Sequence, residues 1–180
     1  MFSRFLKKDL KKTQVAPAAE AEVRVLFICM GNICRSPVAE GVFRRVLEGA
    51  GLSEKVHVDS AGTHSYHIGA PPDTRSQATA LRRGLDLSGL RARRVTVADF
   101  AEFDYLLAMD RDNLRDLLEL CEDSALSNRV QLFLDFAPHL PEREVPDPYY
   151  GGADGFDRVM DLVEEAAQGL LAHLRQQHRW

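Results

Sequence analysis

Short apolar runs alternate with helical periodicity along most of this chain, and this alternation constrains the fold more than any other feature. The sequence predicts strands at 23–29, 56–59, 103–109 and 130–133. It predicts helices at 38–51, 74–83, 111–121 and 154–177. Asp110 is the expected N-cap of the third helix. Strands separated by helices form parallel sheets with right-handed crossovers. We therefore predict an α/β fold: a single domain with a doubly wound, parallel, four-stranded sheet flanked by helices.

The first 22 residues differ in composition from the rest, and we predict that they form a basic flexible leader and linker before a domain at 23–180. Residues 1–12 contain five basic residues and one acidic residue, with apolar residues at helical spacing opposite the lysines. Two interpretations stay open. A basic amphipathic helix would make weak contact with an anionic membrane surface. A solvated leader is the interpretation that we favour, since so short a helix is marginal alone.

Composition argues against several classes of protein. The formal net charge is −4, whereas a nucleic-acid-binding domain usually presents a basic face, so we predict no nucleic-acid partner. No apolar run approaches the roughly 18 residues of a membrane span, and the start lacks the pattern of a secretory signal. Three cysteines in a chain without such a signal favour free thiols in a reducing compartment. We therefore predict a cytoplasmic protein.

The stretch CMGNICRSP, residues 29–37, directly follows the first predicted strand. In open parallel sheets, ligands bind beyond the carboxyl ends of the strands. Gly31 allows the backbone to turn, and Ser36 is a natural N-cap of the helix that follows. The loop at 30–35, called the phosphate loop below, can then point successive N–H groups inward at a positive helix N-terminus, which makes an anion site. Arg35 adds a planar fork that fits two oxygens of a phosphate.

Cys29 lies at the bottom of this electropositive loop. The dipoles that hold a phosphate also stabilise a thiolate, which is a strong nucleophile. A cysteine, five residues and an arginine suit in-line attack on a phosphate ester, with transfer of the phosphate to sulfur. Two other interpretations are weaker: a zinc site would lack a second pair of ligands, and a Gly-x4-Gly-Lys nucleotide loop would lack its lysine. We predict neither a metal nor a cofactor.

With these residues in place, the sequence resembles the low-molecular-weight protein tyrosine phosphatases from about Val23 to Leu174. The shared segments are CMGNICRSP (29–37), VDSAGT (58–63), YHIGAPPD (66–73), MDRDNLRDL (109–117) and DPYY (147–150). The first and last segments together are highly specific, since they lie near opposite ends of the domain. The resemblance implies a protein tyrosine phosphatase that hydrolyses phosphotyrosine through a phosphocysteine intermediate.

The resemblance assigns catalytic roles to three residues. It implies that Cys29 is the nucleophile and that Arg35 binds the phosphate and stabilises the transition state. It implies that Asp147 protonates the leaving tyrosyl oxygen and later activates water, a kind of assistance worth roughly 10²–10⁴-fold. The residues expected to bind the substrate are Met30, Gly31, Asn32, Ile33, Cys34, Ser36, Tyr66, Tyr149 and Tyr150.

By the same resemblance, Asn32 braces the phosphate loop with Ser60, and Ser36 donates a hydrogen bond to the Cys29 thiolate. The three tyrosines are expected to form the walls of a deep slot, where aromatic faces enclose a phosphotyrosine ring. Cys34 has two open interpretations. It is either a partner of Cys29 in reversible oxidation or a small residue that packs the loop.

Three other functions share parts of this pattern. A thioredoxin-coupled arsenate reductase needs a relay of further cysteines, and only Cys121 remains for it. Relatives that dephosphorylate arginine have a threonine where this chain has Ile33, so a protein-arginine phosphatase is less favoured. A non-catalytic phosphotyrosine-binding module would not require Cys29 or Asp147. The expected partners are phosphotyrosine-containing proteins, with a bacterial tyrosine kinase as a hypothesis.

Overall fold

The structure, a computed structural model, describes residues 20–180. Most of the predicted leader, and with it the predicted membrane contact through residues 1–12, lies outside the described residues. Within the described part of the chain, no helix is both long enough and apolar enough to cross a bilayer.

Strands and helices alternate as the sequence predicts. The strands are β1 Val23–Cys29, β2 Val56–Gly62, β3 Tyr105–Ala108 and β4 Val130–Leu132. The α-helices are α1 Ser36–Gly49, α2 Thr74–Arg82, α3 Asp99–Glu102, α4 Arg111–Leu120 and α5 Ala153–His178. Two 3-10 helices flank β4, at Ser124–Arg129 and Phe133–Phe136. Helix α3 was not predicted, because a single turn is too short to show helical periodicity.

The strands form one parallel sheet in the order β2-β1-β3-β4, which confirms the predicted fold class. From β1 the chain crosses to β2 on one side of β1, and from β2 it crosses to β3 on the other side of β1. Ligand sites in open α/β sheets form at such a reversal, beyond the carboxyl ends of the strands. In register, Cys29 pairs with Gly62 and Ile28 pairs with Ala108. The ends of three strands therefore meet at the edge where the phosphate loop begins.

Two hydrophobic cores cover the two faces of the sheet, because alternate residues of a strand point to opposite faces. Phe27 points to the face covered by α1 and α5, where its ring packs edge-on against Phe43 and Phe133 at 5.8 and 4.9 Å between centroids. Ile28 points to the other face and lies in a core with Leu117 of α4. Burial on both faces explains the apolar run from Val25 to Cys29 in β1.

The start of α1 differs from the prediction. Ser36 is the first residue of the helix, Arg35 is the N-cap, and no side chain caps the helix. The prediction that Ser36 caps α1 is therefore wrong. Its hydroxyl instead lies 3.0 Å from the sulfur of Cys29. By contrast, Asp110 caps α4 as predicted, since its carboxylate accepts a hydrogen bond from the Asn113 N–H at 2.8 Å.

Candidate active site

The phosphate loop begins where β1 ends, beside the thiol of Cys29. This residue is buried. The N–H of Asn32 donates to its sulfur at 3.3 Å, and the Ser36 hydroxyl lies 3.0 Å from the same atom. Asn32 has a φ of 56°, in the left-handed region that asparagine tolerates better than most residues. Two hydrogen-bonding groups therefore converge on the sulfur, as a thiolate nucleophile requires.

The side chain of Asn32 ties the phosphate loop to its surroundings. Its Nδ2 donates to the hydroxyls of Ser36 at 2.8 Å and Ser60 at 2.9 Å, and its Oδ1 accepts from the Arg93 N–H at 2.9 Å. Because the Arg93 N–H fixes which end of the amide is the acceptor, both hydroxyls must accept from Nδ2. Ser36 keeps its own proton, and the Cys29 sulfur at 3.0 Å is a nearer acceptor than the Ala61 carbonyl at 3.3 Å.

A buried carboxylate ends this network. Oε2 of Glu40, on α1, accepts from the Ser60 hydroxyl at 2.6 Å, and Oε1 forms an ion pair with Arg44 at 2.6 Å. Both oxygens thus face donors, an arrangement that suits the ionised carboxylate. Burial raises the pKa of Glu40 to about 7, although Arg44 and Ser60 act to lower it. Glu40 was not among the predicted site residues.

Gly62 lets the phosphate loop lie directly against the end of β2. A Cβ at this position would lie 2.6 Å from the Met30 carbonyl oxygen and 3.1 Å from the carbonyl carbon of Gly31. Both neighbours are backbone atoms, so any side chain at Gly62 would displace the loop. Gly62 lies within the shared segment VDSAGT, but the sequence gives it no role of its own, because the need for it arises from contact between two segments distant in sequence.

Arg35 is buried, and three oxygens direct its guanidinium. Nη1 donates to Oδ2 of Asp110 at 2.6 Å and to the Val145 carbonyl at 3.1 Å, while Nη2 lies 3.5 Å from Oδ2 of Asp147. Burial opposes the charge, but the effects of Cys29 and Asp110 outweigh it and raise the pKa of Arg35. The sequence predicts only a capping role for Asp110. Its position just after β3, at the same edge of the sheet as Cys29, was the available signal.

A cavity of about 320 Å³ opens over the phosphate loop. The residues that line it are Cys29, Met30, Gly31, Ile33, Cys34, Arg35, Tyr66, His67, Asp147, Tyr149 and Tyr150. All of them except His67 are predicted site residues. The other three predicted residues, Asn32, Ser36 and Ser60, are buried and contribute to the network that braces the loop. A larger cleft of about 640 Å³ between α1 and α5 is lined by no cysteine, serine or histidine.

The tyrosines stand at the mouth of the cavity. Tyr66 is 75% exposed and stacks on His64, with 5.3 Å between ring centroids. Tyr149 meets Tyr150 edge-on at 4.9 Å, and Tyr150 is 94% exposed. The sequence predicted that these tyrosines would wall a deep slot. In the structure they lie nearer the surface, because the outward faces of Tyr66 and Tyr150 are largely open to solvent.

Residues 145–151, called the acid loop below, carry Asp147 to the cavity. Val145 is fully buried, and its N–H donates to the Met109 carbonyl at 2.8 Å. Oδ1 of Asp147 accepts from the Tyr149 N–H at 3.1 Å, while 41% of the Asp147 side chain is exposed. A carboxyl that is open to water and close to the guanidinium of Arg35 is well placed for general acid–base catalysis.

The remaining thiols differ in their surroundings. Cys34 is buried against Ile33, Ala92 and Phe156, and burial raises its pKa to about 12. These contacts fit the loop-packing interpretation of Cys34, and its reversible oxidation stays a prediction. Cys121 follows α4 and donates from its thiol to the Asp123 carbonyl. Within residues 20–180, no three His, Cys, Asp or Glu side chains are grouped as metal ligands would be.

Comparison with known proteins identifies the family. The family model for low molecular weight phosphotyrosine protein phosphatases matches residues 24–179. A putative low molecular weight protein-tyrosine-phosphatase of Synechocystis is 46% identical over 152 residues, which cover 84% of this chain and 96% of the relative. The human low molecular weight phosphotyrosine protein phosphatase is 43% identical over 155 residues, covering 86% and 97%. The chain therefore belongs to the low molecular weight phosphotyrosine protein phosphatase family.

Solved structures show the same fold. A protein tyrosine phosphatase from Entamoeba histolytica, with Hepes in its active site, has a TM-score of 0.83 and 42% identity, covering 87% of this chain and 99% of that one. YfkJ from Bacillus subtilis has a TM-score of 0.80 and 36% identity, covering 87% and 97%. Vibrio vulnificus Wzb in complex with benzylphosphonate has a TM-score of 0.72 and 27% identity, covering 83% and 97%. The predicted enzyme class, protein-tyrosine-phosphatase, is confirmed at the level of the family.

Proposed function

We propose that this protein hydrolyses phosphotyrosine in other proteins through a phosphocysteine intermediate on Cys29. The observation that carries the proposal is the meeting of Cys29, Arg35 and Asp147 in one cavity. Two relatives support it. Hepes, found in the Entamoeba active site, carries a sulfonate, and the benzylphosphonate bound to Vibrio Wzb joins an aromatic ring to a phosphonate. Both ligands contain a tetrahedral anion, which is what the phosphate loop and Arg35 are suited to bind.

In the first step, the Cys29 thiolate attacks phosphorus in line with the tyrosyl oxygen. A P–S bond forms, the P–O bond to the tyrosine breaks, and Asp147 gives its proton to the leaving oxygen. Arg35, held by Asp110 and the Val145 carbonyl, forms hydrogen bonds with the phosphoryl oxygens. Since its guanidinium is oriented before the substrate binds, no reorganisation is needed as charge develops in the transition state.

In the second step, Asp147 acts as a base. Its carboxylate accepts a proton from water, the oxygen attacks phosphorus, and the P–S bond breaks to release inorganic phosphate and the Cys29 thiolate. The Ser36 hydroxyl, 3.0 Å from the sulfur, stabilises the thiolate that leaves. Both steps use the same three residues, and neither consumes a cofactor.

The lining of the cavity favours phosphotyrosine over other phosphorylated residues. Tyr66 and Tyr149 stand at the mouth, and Ile33 adds an apolar side chain to the lining. An aryl ring gains contact with these surfaces while its phosphate reaches Cys29. A phosphoserine is too short to make both contacts. Ile33 also argues against phosphoarginine, whose guanidinium would meet an apolar side chain.

The competing functions have less support. Cys121 follows α4, which starts just after the carboxyl end of β3 and runs for ten residues, about 15 Å. The Cys121 thiol therefore lies toward the opposite edge of the sheet from Cys29, which is unfavourable for a thiol relay in arsenate reduction. A module that only binds phosphotyrosine would need neither a nucleophile at Cys29 nor an acid at Asp147.

Organisation and partners form part of the proposal. We place a phosphatase domain at 23–180, after a basic leader, because the family match starts at residue 24. We place the protein in the cytoplasm, where a reducing environment keeps thiols free. Phosphotyrosine-containing proteins, among them a bacterial tyrosine kinase, are the proposed partners. A weak contact of residues 1–12 with anionic membranes is tested by vesicle binding of the full chain and of a chain starting at residue 20. Equal binding by the two chains would contradict that contact.

The decisive test of function measures phosphate release from peptides that carry phosphotyrosine, phosphoserine or phosphoarginine. A fourth assay measures whether the protein reduces arsenate when thioredoxin is supplied as the reductant. We expect rapid release from the phosphotyrosine peptide only, and no release by Cys29→Ser. Binding of the phosphotyrosine peptide without hydrolysis would favour the binding module. Preferential turnover of phosphoarginine or arsenate would favour the corresponding enzyme.

A further inference from the structure

Arg75, in the first turn of α2, reaches across to the acid loop. Its Nη1 donates to the Tyr149 carbonyl at 3.0 Å. Its guanidinium also lies between two aromatic rings, 5.3 Å from the centroid of Tyr149 and 4.8 Å from that of Phe156. Such cation–π contacts add to the hydrogen bond in fixing the position of Tyr149. Arg75 was not among the predicted site residues.

Asp73 orients the same arginine. The carboxylate of Asp73 accepts from Nε of Arg75 at 3.0 Å and from Nη2 at 2.9 Å, and it also accepts from the Arg75 N–H at 2.8 Å. This two-pronged pair restricts the guanidinium to one orientation. Nη1 is thereby left to point at the acid loop.

The start of α2 is in turn fixed to the phosphate loop. The Asp73 N–H donates to the Ile33 carbonyl at 2.8 Å, and the Ser76 hydroxyl donates to the Cys34 carbonyl at 3.3 Å. Asp73 therefore contacts the phosphate loop through its backbone and Arg75 through its side chain. An unbroken series of short contacts connects the loop that binds phosphate to the loop that carries the acid.

Tyr149 is the point where this series meets Asp147. Its N–H donates to Oδ1 of Asp147 at 3.1 Å, while its carbonyl accepts from Arg75. Tyr149, which orients the carboxyl of Asp147, is therefore itself held in place by Arg75. We propose that Arg75 is a positioning residue that sets the Asp147 carboxyl at the distance from the phosphate loop which protonation of the leaving group requires. This inference rests on the function proposed above.

Arg75 shares this task with two other anchors of the acid loop. The Val145 N–H donates a hydrogen bond to the Met109 carbonyl, and the buried Pro148 packs near Gly155 at the start of α5. The loop therefore keeps its place without Arg75, but Tyr149 loses its outer restraint. We expect a moderate effect on Asp147 and none on the phosphate loop.

The test is the dependence of kcat/KM on the leaving group for a series of aryl phosphates, because kcat/KM reports the steps up to loss of the leaving group. For Arg75→Met we expect about a tenfold loss on the phosphotyrosine peptide and less than about a twofold loss on nitrophenyl phosphate, whose leaving group needs little protonation. Arg75→Lys, which lacks the planar fork, should show the same selectivity to a smaller degree. Arg82→Met, on the same helix but paired with Asp157, is the matched control and should match the wild type.

Inorganic phosphate supplies a second readout. Its inhibition constant should be unchanged in Arg75→Met, which shows that the variant is folded and its phosphate loop intact. In an Asp147→Asn background, Arg75→Met should have no further effect, because two changes that act through one group are not additive.

An equal loss on all aryl phosphates, an unchanged profile, or an additive loss in the Asp147→Asn background would each overturn the inference. If Asp147→Asn alters the leaving-group dependence and Arg75→Met does not, the inference fails and the proposed function stands. If Asp147→Asn leaves that dependence unchanged, the proposed role of Asp147 fails first, and the positioning role of Arg75 fails with it.

Discussion

The phosphate loop is buried from Asn32 to Arg35, whereas the acid loop lies largely on the protein surface. Arg35 is 2% exposed and Asn32 3%, but 41% of the Asp147 side chain and 94% of Tyr150 are open to solvent. The phosphoryl group is the same in every substrate, so a rigid site for it is advantageous. In the proposed mechanism, the leaving group and the protein around it vary, and the more open acid loop faces them. Changes in the phosphate loop should therefore affect all substrates alike, and changes in the acid loop should depend on the leaving group.

Arg35→Lys should have the largest effect. Lysine keeps the charge but cannot form two parallel hydrogen bonds to the phosphoryl group. We expect kcat/KM to fall by roughly 10³-fold, and by the same factor for nitrophenyl phosphate and for a phosphotyrosine peptide. Steady-state kinetics on both substrates measures this. A loss that depends on the leaving group would contradict the division of labour between the two loops.

Asp147→Asn should separate the two substrates. Asparagine keeps the shape of the side chain but supplies no carboxyl proton, so kcat/KM for the phosphotyrosine peptide should fall by about 10²-fold, while that for nitrophenyl phosphate should change little. Stability should stay near that of the wild type, since the side chain is substantially exposed. An equal loss on both substrates would indicate that Asp147 supports the site rather than the proton transfer.

Asn32→Gly tests the brace of the phosphate loop. Glycine tolerates the φ of 56° at this position, so the substitution removes the side-chain hydrogen bonds without adding backbone strain. We expect a destabilisation of roughly 2 kcal/mol in chemical denaturation, because the Arg93 N–H loses its partner. We also expect about a tenfold loss of kcat/KM on all substrates.

The matched change in the acid loop is Tyr150→Ala. Because Tyr150 is almost fully exposed, we expect its removal to change stability by less than about 0.5 kcal/mol. If Tyr150→Ala destabilised the protein as much as Asn32→Gly, the contrast between a braced and an open loop would be wrong.

The contribution of Glu40 should be to stability rather than to turnover, and it should depend on pH. Burial raises the pKa of Glu40 from 4.5 to about 7. In the folded state Glu40 is therefore protonated below about pH 7, whereas in the unfolded state it is protonated only below about pH 4.5. The contribution of Glu40 to the free energy of unfolding is therefore greatest below about pH 4.5 and declines as pH rises to about 7.

Denaturant unfolding of the wild type and of Glu40→Gln measures this contribution. The stability of the wild type relative to Glu40→Gln should increase as the pH is lowered from about 8 to about 5. Other groups that titrate in this range act in both proteins and cancel in the difference. The charged groups that face Glu40, namely Arg44, Asp59 and Arg93, are retained in both. A difference that does not vary with pH would show that Glu40 does not titrate as described.

The sequence predicted the fold and two of the three candidate catalytic residues, Cys29 and Arg35, because those features are local. The apolar run of β1 and the stretch from Cys29 to Pro37 are each contiguous, so spacing alone carries the signal. Asp147 was found only through the resemblance, because 112 positions separate it from Arg35 along the chain and an isolated aspartate before a proline otherwise predicts a turn.

Residues whose roles arise from tertiary contacts could not be predicted from the sequence. Glu40 is one residue of a helix, and nothing in its local pattern shows that Ser60 will lie beside it. The same holds for Arg75, whose partners are Asp73 in its own turn and Tyr149 in a distant loop. The sequence offers a partial signal that Asp110 lies at the site, since it follows β3, whose end lies at the same sheet edge as the end of β1.

The most direct test of the central claim is to isolate the covalent intermediate. Asp147→Asn is mixed with nitrophenyl phosphate and quenched in acid within milliseconds to seconds, and the protein is digested and mapped by mass spectrometry. The good leaving group lets the first step proceed, while loss of the base slows the second, so the account predicts one phosphoryl group on Cys29 that is absent from Cys29→Ser. Release of phosphate without any phosphoryl group on Cys29, or with one on another residue, would contradict it.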